Sequence, residues 1–521
     1  STPEDNFAIS CGTTGIFFDG ERKWTGDIDS MILSRQEGTI SAKATAQAPS
    51  TIQVPYTTAR LSRSQFSYSI PVTVGPKFLR LFFYPVSYYP SFPRTDASFT
   101  VQSNQFFLLD GFNASLNADA ENKETIFREY VIHVDDSQRL ILTFTSSQTN
   151  SYAFINGIEV LSMPSYLYYT SSDEMGFKLV GTTAPYSVET SFALETVYRI
   201  NVGGQEISPL NDTGLFRKWA GDEEDYLIKQ NLQNNDLPAD LDGRNITVNP
   251  GYVAPKELYR TSRDMGTNAT LNKISNLTWQ FPVDSGFTYM IRLHFCELDP
   301  NINDMSDRMF FIYLASQLAD DRGDVMRWTQ KQKGLAVYKD YAVLIVKNDT
   351  QKRVNLSLQL HPYESGKYTK YSDPFLNGLE IFKISDTWSN NLAGPNPDPV
   401  QTPLSNVPVQ KGKNRNKTLI IDVVVGVVSG IVLISFVVYF VLSAPLSFST
   451  TKSTNTQNFS LPLDFCRRFS LLEIKAATKN FDDVFIVGVG GFGHVYKGYI
   501  DGGSIPVAIK RLKPGSQQGA R

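Results

Sequence analysis

Residues 1–386 contain the same unit twice. FAISCG (7–12) is matched by YRINVG (198–203), and RKWTGD (22–27) by RKWAGD (217–222). FSYSIPVTVGPKFLRLFF (66–83) is matched by LTWQFPVDSGFTYMIRLHF (277–295), and FINGIEV (154–160) by FLNGLEI (375–381). The order is kept while the separation widens, so the second copy carries insertions. A duplication of this length requires two copies of one fold, each of ordinary domain size. The copies fall at 1–165 and 196–386, with an interdomain linker over 166–195.

Each copy reads as mainly β. Short runs rich in aromatic and β-branched residues (Phe78, Leu79, Leu81 and Phe83; Tyr130, Val131, Ile132 and Val134; Leu140, Ile141, Leu142 and Phe144) are punctuated by Gly, Pro, Asn and Asp. No long stretch with a period of 3.6 precedes residue 419. The pattern predicts two antiparallel β-sandwiches with long loops, packed side by side. Aromatics make up 12% of the chain, as a core enclosed between sheets would use them. Cys11 and Cys296 stand one in each copy, with Val202 and Phe83 at the matching positions of the other. A disulfide framework is therefore excluded and a hydrophobic core must hold each copy; a single bridge and two buried thiols both remain open. A net charge of only −3 argues against nucleic acid as a partner.

Residues 419–442 (LIIDVVVGVVSGIVLISFVVYFVL) are almost wholly apolar. At about 1.5 Å per residue they span roughly 36 Å, enough to cross a hydrocarbon core of about 30 Å as one transmembrane helix. Gly426 and Gly430 form a G-x-x-x-G, a weak pointer to helix pairing. Lys411, Lys413, Arg415 and Lys417 precede the span, which by local charge would place the N-terminal side in the cytosol. Two observations oppose that. N-x-S/T sequons crowd this side, at Asn113, Asn211, Asn245, Asn268, Asn276, Asn348, Asn355 and Asn416, and glycans are added in the lumen. The other side carries a motif that works with ATP. A single-pass type I topology with an extracellular N-terminal side is expected, and the start at Ser1 is consistent with a signal already removed. Residues 387–418 read as a Pro-rich stalk and 443–480 as a juxtamembrane tether.

Residues 481–521 open like a protein kinase N-lobe. VGVGGFGHVYKG (487–498) fits G-x-G-x-x-G-x-V through Gly488, Gly490, Gly493 and Val495, with Val489, Gly491, Phe492 and His494 between them. VAIK (507–510) then supplies Ala508 and Lys510. Glycines let backbone N–H groups approach phosphates without a Cβ clash, and the lysine pairs with the phosphates of ATP. A glycine-rich turn in some other hairpin is the competing reading. Residues 469–483 read as a short amphipathic helix. The helix αC glutamate, H-R-D loop and D-F-G site that complete a kinase are not in the sequence. This chain alone is thus expected to be inactive, with magnesium a requirement of the full-length kinase only.

With C-G near its start, R-K-W-x-G-D, R-L-H-F-C-E (292–297) and N-G-x-E-[VI] near the end of each copy, the extracellular part resembles tandem malectin-like domains. With the span and the kinase start, the whole chain resembles the FERONIA-like plant receptor kinases of the CrRLK1L family. The resemblance implies a plasma-membrane receptor for secreted rapid alkalinisation factor peptides. It also implies a GPI-anchored co-receptor and a cytosolic Ser/Thr kinase.

The alternative function is a carbohydrate-binding sensor of cell-wall polysaccharide. FFYPVSYYPSFPRTD (82–96) offers Tyr84, Tyr88, Tyr89 and Phe92 as a stacking platform, with Asp96 nearby; the bland reading is that these rings fill the core. The runs GDEEDY (221–226) and ADDRGD (319–324) read as solvated loops, and the RGD within the second is discounted as chance. Four scattered histidines argue against a catalytic or zinc cluster, and His294 reads as a packed residue. For partner contact, the insertions at 223–260 and 296–335 are the choice, with Glu297, Asp299 and Asp304 facing a basic peptide.

Overall fold

A computed structural model describes residues 3–399, apart from 21, 29, 31–32, 36–37, 46–47, 49–50, 89–90, 223–225, 229–237, 241–242, 349 and 364–368. Beyond them it describes 474–475, 477–479, 481–482, 485–490, 493–500 and 505–512. The chain divides into two compact units, Ser1–Asn406 and Val407–Arg521.

In the first unit each copy is a sandwich with its own outer sheet. In the first copy that sheet runs Phe106–Asn113, Ser98–Ser103, Arg139–Ser146, Phe66–Pro71, Leu33–Arg35. In the second it runs Leu277–Asp284, Arg353–Pro362, Phe310–Leu314, Gln317–Gly323. Alternation decides which side chains face inward. Phe66, Tyr68 and Ile70 are fully buried, while Ser67 and Ser69 between them are half-buried. Phe83, Phe99 and Phe154 meet in the first core with ring centroids 5.6–5.7 Å apart. A second core gathers Trp279, Phe281, Phe295 and Phe310.

The remaining large sheet corrects the side-by-side expectation. It has thirteen strands among the described residues and belongs to both copies. The second copy opens with Leu194–Asn201, which pairs with Gly378–Ile384 on one edge. Its other edge takes up Ile126–Val134 of the first copy through Tyr130↔Glu195 and Val131↔Leu194. An edge strand carries unpaired N–H and C=O groups, and here each copy satisfies the other's. Part of the stretch read as linker is sheet too: Phe177–Leu179 pairs with Val337–Leu344 and with Pro185–Tyr186. A third apolar cluster, including Phe78, Val131, Tyr168, Leu194, Leu215, Met290 and Phe382, fills the junction.

The stalk expectation needs a second correction. After Gly378–Ile384 the chain turns back and straps both copies. Leu392 is fully buried in the first core. The Phe107 N–H donates to Asn390 O at 3.1 Å and the Leu392 N–H to Phe107 O at 2.9 Å. The Asn396 amide donates to Gly111 O (2.8 Å) and accepts from the Asn113 N–H (2.9 Å). Gly394 lies so close to Asp284 of the second copy that a Cβ would sit 2.1 Å from its Oδ2. Pro and Asn spacing signals a loop, but a loop with one apolar residue and capping amides can still dock.

In the second unit, Ile486–Gly490, Gly493–Ile500 and Ile505–Leu512 form a three-stranded antiparallel sheet. Ahead of it, the Thr478 N–H donates to Ile474 O at 3.2 Å, and the Phe481 ring packs edge-on against Tyr496. No helix among the described residues is long and apolar enough to cross a membrane, and 419–442 lie outside them.

Candidate functional site at the seam of the two copies

The repeated motifs are structural anchors, built the same way twice. In R-K-W-x-G-D the aspartate accepts from a glycine N–H: Gly12 to Asp27 and Gly203 to Asp222, each at 2.9 Å. It also holds an arginine, Arg60 on Asp27 at 2.8 Å and Arg263 on Asp222. Gly12 and Gly203 have φ of +75° and +72°, and a Cβ on either would lie 2.2 Å from a carbonyl oxygen, of Ala59 or Ser262. Only glycine fits. The Asp222 side chain is thus buried, against the expectation that 221–226 is wholly solvated.

In N-G-x-E the asparagine clips neighbouring chains together. Asn156 accepts from the Tyr84 N–H (2.7 Å) and donates to Thr58 O (2.9 Å); Asn377 accepts from the Cys296 N–H (2.8 Å) and donates to Thr261 O (2.8 Å). This shows that Cys296 corresponds to Tyr84, not Phe83: the gap in the aligned segment falls before Arg80 and Arg292, not at the strand end. Cys11 and Cys296 are both free and buried, one in each copy, so the open bridge is not formed.

The glutamates of the same motif start a ladder of buried charge that crosses the seam. Arg22 Nε meets Glu159 at 2.7 Å, and Arg80 joins Glu159 (3.3 Å) to Glu129 (2.7 Å). Glu129 meets Arg199 of the second copy at 2.8 Å, and Arg199 meets Glu380 at 2.8 Å. Glu380 then takes His294 Nε2 at 3.1 Å and the Tyr168 hydroxyl at 2.6 Å. Burial alone would raise the Glu129 carboxyl, but Arg199 and Arg80 outweigh it and hold it down at about 2. Glu380 is likewise held below the usual range by Arg199 and His294. Burial pushes His294 down, toward the neutral form. Such pairs fix geometry more surely than they add net stability. His294 is the packed residue expected.

Above the ladder the first copy's hairpin Ile16–Asp19 and Arg22–Gly26 touches the second copy. Arg22 lies over the Phe216 ring at 4.6 Å, and a Cβ on Gly20 would meet Leu210 at 3.3 Å. Arg80 Nη2 donates to Leu215 O at 2.8 Å. Beside this loop opens a cleft of about 550 Å³ lined by residues that include Asn211, Thr213, Val248, Tyr252, Lys256 and Glu257. Neither side of this seam was legible from one copy's sequence.

The sites read from sequence fare unevenly. Tyr84, Tyr88 and Phe92 are at most 5% exposed. The Tyr88 hydroxyl donates to Tyr84 O at 2.7 Å and accepts from Asn156 at 2.8 Å. The proposed stacking platform is therefore core; Tyr89 lies outside the described residues, and Asp96 is half-buried. Glu297 is buried on Arg308 (2.9 Å), which also takes Asp299 at 3.1 Å. Both are thus paired internally, Glu297 buried and Asp299 half-buried, against the expectation of free carboxylates; of the three, Asp304, paired with Lys331 at 2.7 Å, is exposed. The aspartate of RGD is also buried: Asp324 caps a short helix, accepting from the Arg327 N–H at 3.0 Å.

Of the sequons, Asn211, Asn245, Asn268 and Asn355 are exposed, Asn113, Asn276 and Asn348 half-buried, and Asn416 lies outside the described residues. Asn113 and Asn268 each cap a helix through the side-chain oxygen. In the second unit Gly490 pairs with Gly493, Gly488 and Lys510 each with Val495, Val489 with His494, and Lys497 with Ala508. Residues directly opposite share a face, so Val495 and Lys510 do. Gly491 and Phe492 lie outside the described residues.

Two sandwich halves sharing one sheet, with duplicated Gly–Asp–Arg and Asn–Glu anchors, define a malectin-like ectodomain. A malectin-like domain model matches residues 9–384. The chain belongs to that family and, within it, to the FERONIA-like CrRLK1L receptor-like kinases. It is 40% identical to the receptor-like protein kinase FERONIA of Arabidopsis thaliana over 99% of this chain and 61% of the relative. It is 36% identical to the receptor-like protein kinase ANXUR1 of the same plant, over 99% and 62%. The chain thus spans about three-fifths of the length of these relatives. A crystal structure of the plant peptide RALF23 in complex with FER and LLG2 matches with a TM-score of 0.67 at 40% identity, covering 77% of this chain and 100% of that one.

Proposed function

We propose that the protein is a single-pass plasma-membrane receptor kinase whose malectin-like ectodomain recognises a secreted peptide of the rapid alkalinisation factor type together with a GPI-anchored co-receptor. One observation carries this reading. The entire two-copy body, not one sandwich alone, matches a FER chain solved with a peptide and LLG2. The rigid seam supports it, since ligands shared with a second protein need both copies held in one geometry.

The residues fit an ATP-binding strand pair in the cytosolic part. Gly488, Gly490 and Gly493 would line the phosphates and Lys510, on the face shared with Val495, would pair with them. Bound ATP would supply the phosphoryl group; magnesium and phosphoryl transfer belong to the full-length kinase, and there Lys510→Glu is expected to abolish activity. The apolar 419–442 would cross the membrane. No specific observation favours the wall-polysaccharide reading, since its platform is buried.

Calorimetry on the glycosylated chain in nanodiscs, titrated with RALF23 peptide with and without LLG2, tests the proposal. Binding strengthened by LLG2 is expected. Absence of binding in both conditions, across a panel of such peptides, overturns it.

A further inference from the structure

The fused sheet ends at Ile16–Asp19, and this edge differs from four other strand edges of the first unit. The opposite end of the same sheet is Pro185–Tyr186, blunted by proline. Gln317–Gly323 is guarded by Asp320, Asp321 and Arg322. Phe106–Asn113 is covered by the strap at Asn390–Leu392. Leu277–Asp284 is covered by Tyr226 and Leu227, through the Gln280 N–H to Tyr226 O (2.9 Å) and the Leu227↔Trp279 bridge. Proteins manage open edges by such devices because an open edge recruits other strands.

Among the described residues, no strap or bridge covers the first three residues of Ile16–Asp19, which carry neither proline nor charge. Ile16 is 55% and Phe18 67% exposed. The Gly26 N–H donates to Gly15 O at 2.8 Å, and Ile16 lies opposite Thr25. Antiparallel alternation then turns positions 15 and 17 toward the partner strand, and the N–H and C=O of Ile16 and Phe18 outward. The second copy has lost this edge. Its counterpart of the Phe17↔Trp24 pair is the single Ile207↔Trp219 bridge, Ile207 is buried, and Pro209 begins a tight turn two residues on. The same ancestral hairpin is closed in one copy and open in the other, beside the seam.

We infer that the outer edge of Ile16–Phe18 is a docking strand for an extended segment of the peptide ligand, added antiparallel or parallel to the sheet with apolar side chains against Ile16 and Phe18. This rests on the peptide-receptor reading above and adds to it the place and mode of contact. A second copy of the chain is the rival occupant. Four strand residues bury far less than the roughly 1,200 Å² of a stable protein pair, whereas a peptide held jointly by a co-receptor needs only a short clamp.

The test is backbone hydrogen exchange on the full chain in nanodiscs, with RALF23 peptide and LLG2 as probes. The Ile16 and Phe18 amides are expected to slow at least tenfold on peptide addition. Phe18→Pro removes an outward N–H and the ring at an edge position where the proline ring breaks no ladder hydrogen bond, and Phe18→Lys places a guard charge. Both are expected to weaken peptide binding at least tenfold with an unchanged melting temperature, while Ile141→Lys on the outer sheet leaves binding unchanged. If the wild type binds but the edge amides do not slow and both variants bind equally, the inference falls and the receptor reading stands. If the wild type does not bind, both fall. Slowing that tracks receptor concentration without peptide assigns the edge to a second copy and also overturns the inference.

Discussion

The two copies agree at the anchors their shared motifs bury and differ at the edge hairpin beside the seam. Asn156 and Asn377 make the same clips, and Asp27 and Asp222 hold the same glycine and arginine. Yet the hairpin Ile16–Asp19 is an open strand in the first copy and a proline-bearing loop in the second. A buried donor without a partner costs about 1–3 kcal/mol, so the anchors cannot drift singly. Edges and loops pay no such penalty, and there the copies have diverged into a composite surface.

The seam ladder offers the hardest break of that comparison. Glu129→Ala leaves Arg80 and Arg199 buried without their shared partner, and a loss of about 3–5 kcal/mol is expected by chemical denaturation. Because the sheet is continuous, both copies should unfold together in the wild type. Two separate transitions in the variant would show that the ladder couples them; two in the wild type would refute the fused sheet as a cooperative unit.

Next in size is the strap. Leu392→Ala opens a cavity in the first core and is expected to cost about 2–5 kcal/mol. Exchange protection should fall in Phe106–Asn113 and remain in Arg353–Pro362; equal loss in both copies would contradict a strap anchored on the first. Asn156→Ala and Asn377→Ala should then cost similar amounts, about 1–3 kcal/mol for each group left unpaired. A large inequality between them would mean that the two clips are not equivalent.

The last effect is that of pH. Glu129 is depressed from 4.5 to about 2, so its contribution is complete above the unfolded value and is lost as pH falls through 4.5 toward 2. His294 is depressed below 6.5 and neutral in the fold, so stability also falls as pH drops below 6.5. The melting temperature should therefore decline from pH 7 downward, and His294→Gln should flatten the part of that slope nearest pH 6. A melting temperature that rises on mild acidification would reverse the assignment of His294.

Much of this protein was legible in one dimension. Duplication, the period-2 runs and the aromatic content determine a pair of β-sandwiches, because alternation alone says which side chains must be covered. The four aligned segments even marked the anchors, though not their work: R-K-W-x-G-D is only a repeated string until Gly12 and Arg60 are seen on Asp27. Rings such as Tyr88, and carboxylates such as Glu297, read equally well as exposed or buried, since their partners, Asn156 and Arg308, lie elsewhere in the chain. Sequence pattern records what a residue needs, and only the tertiary structure decides who supplies it. For that reason the shared sheet, the strap at Leu392, the Glu129–Arg199 crossing and the open edge at Ile16–Phe18 all had to come from the fold: each depends on groups brought together from both copies, or on a neighbour that one copy lacks.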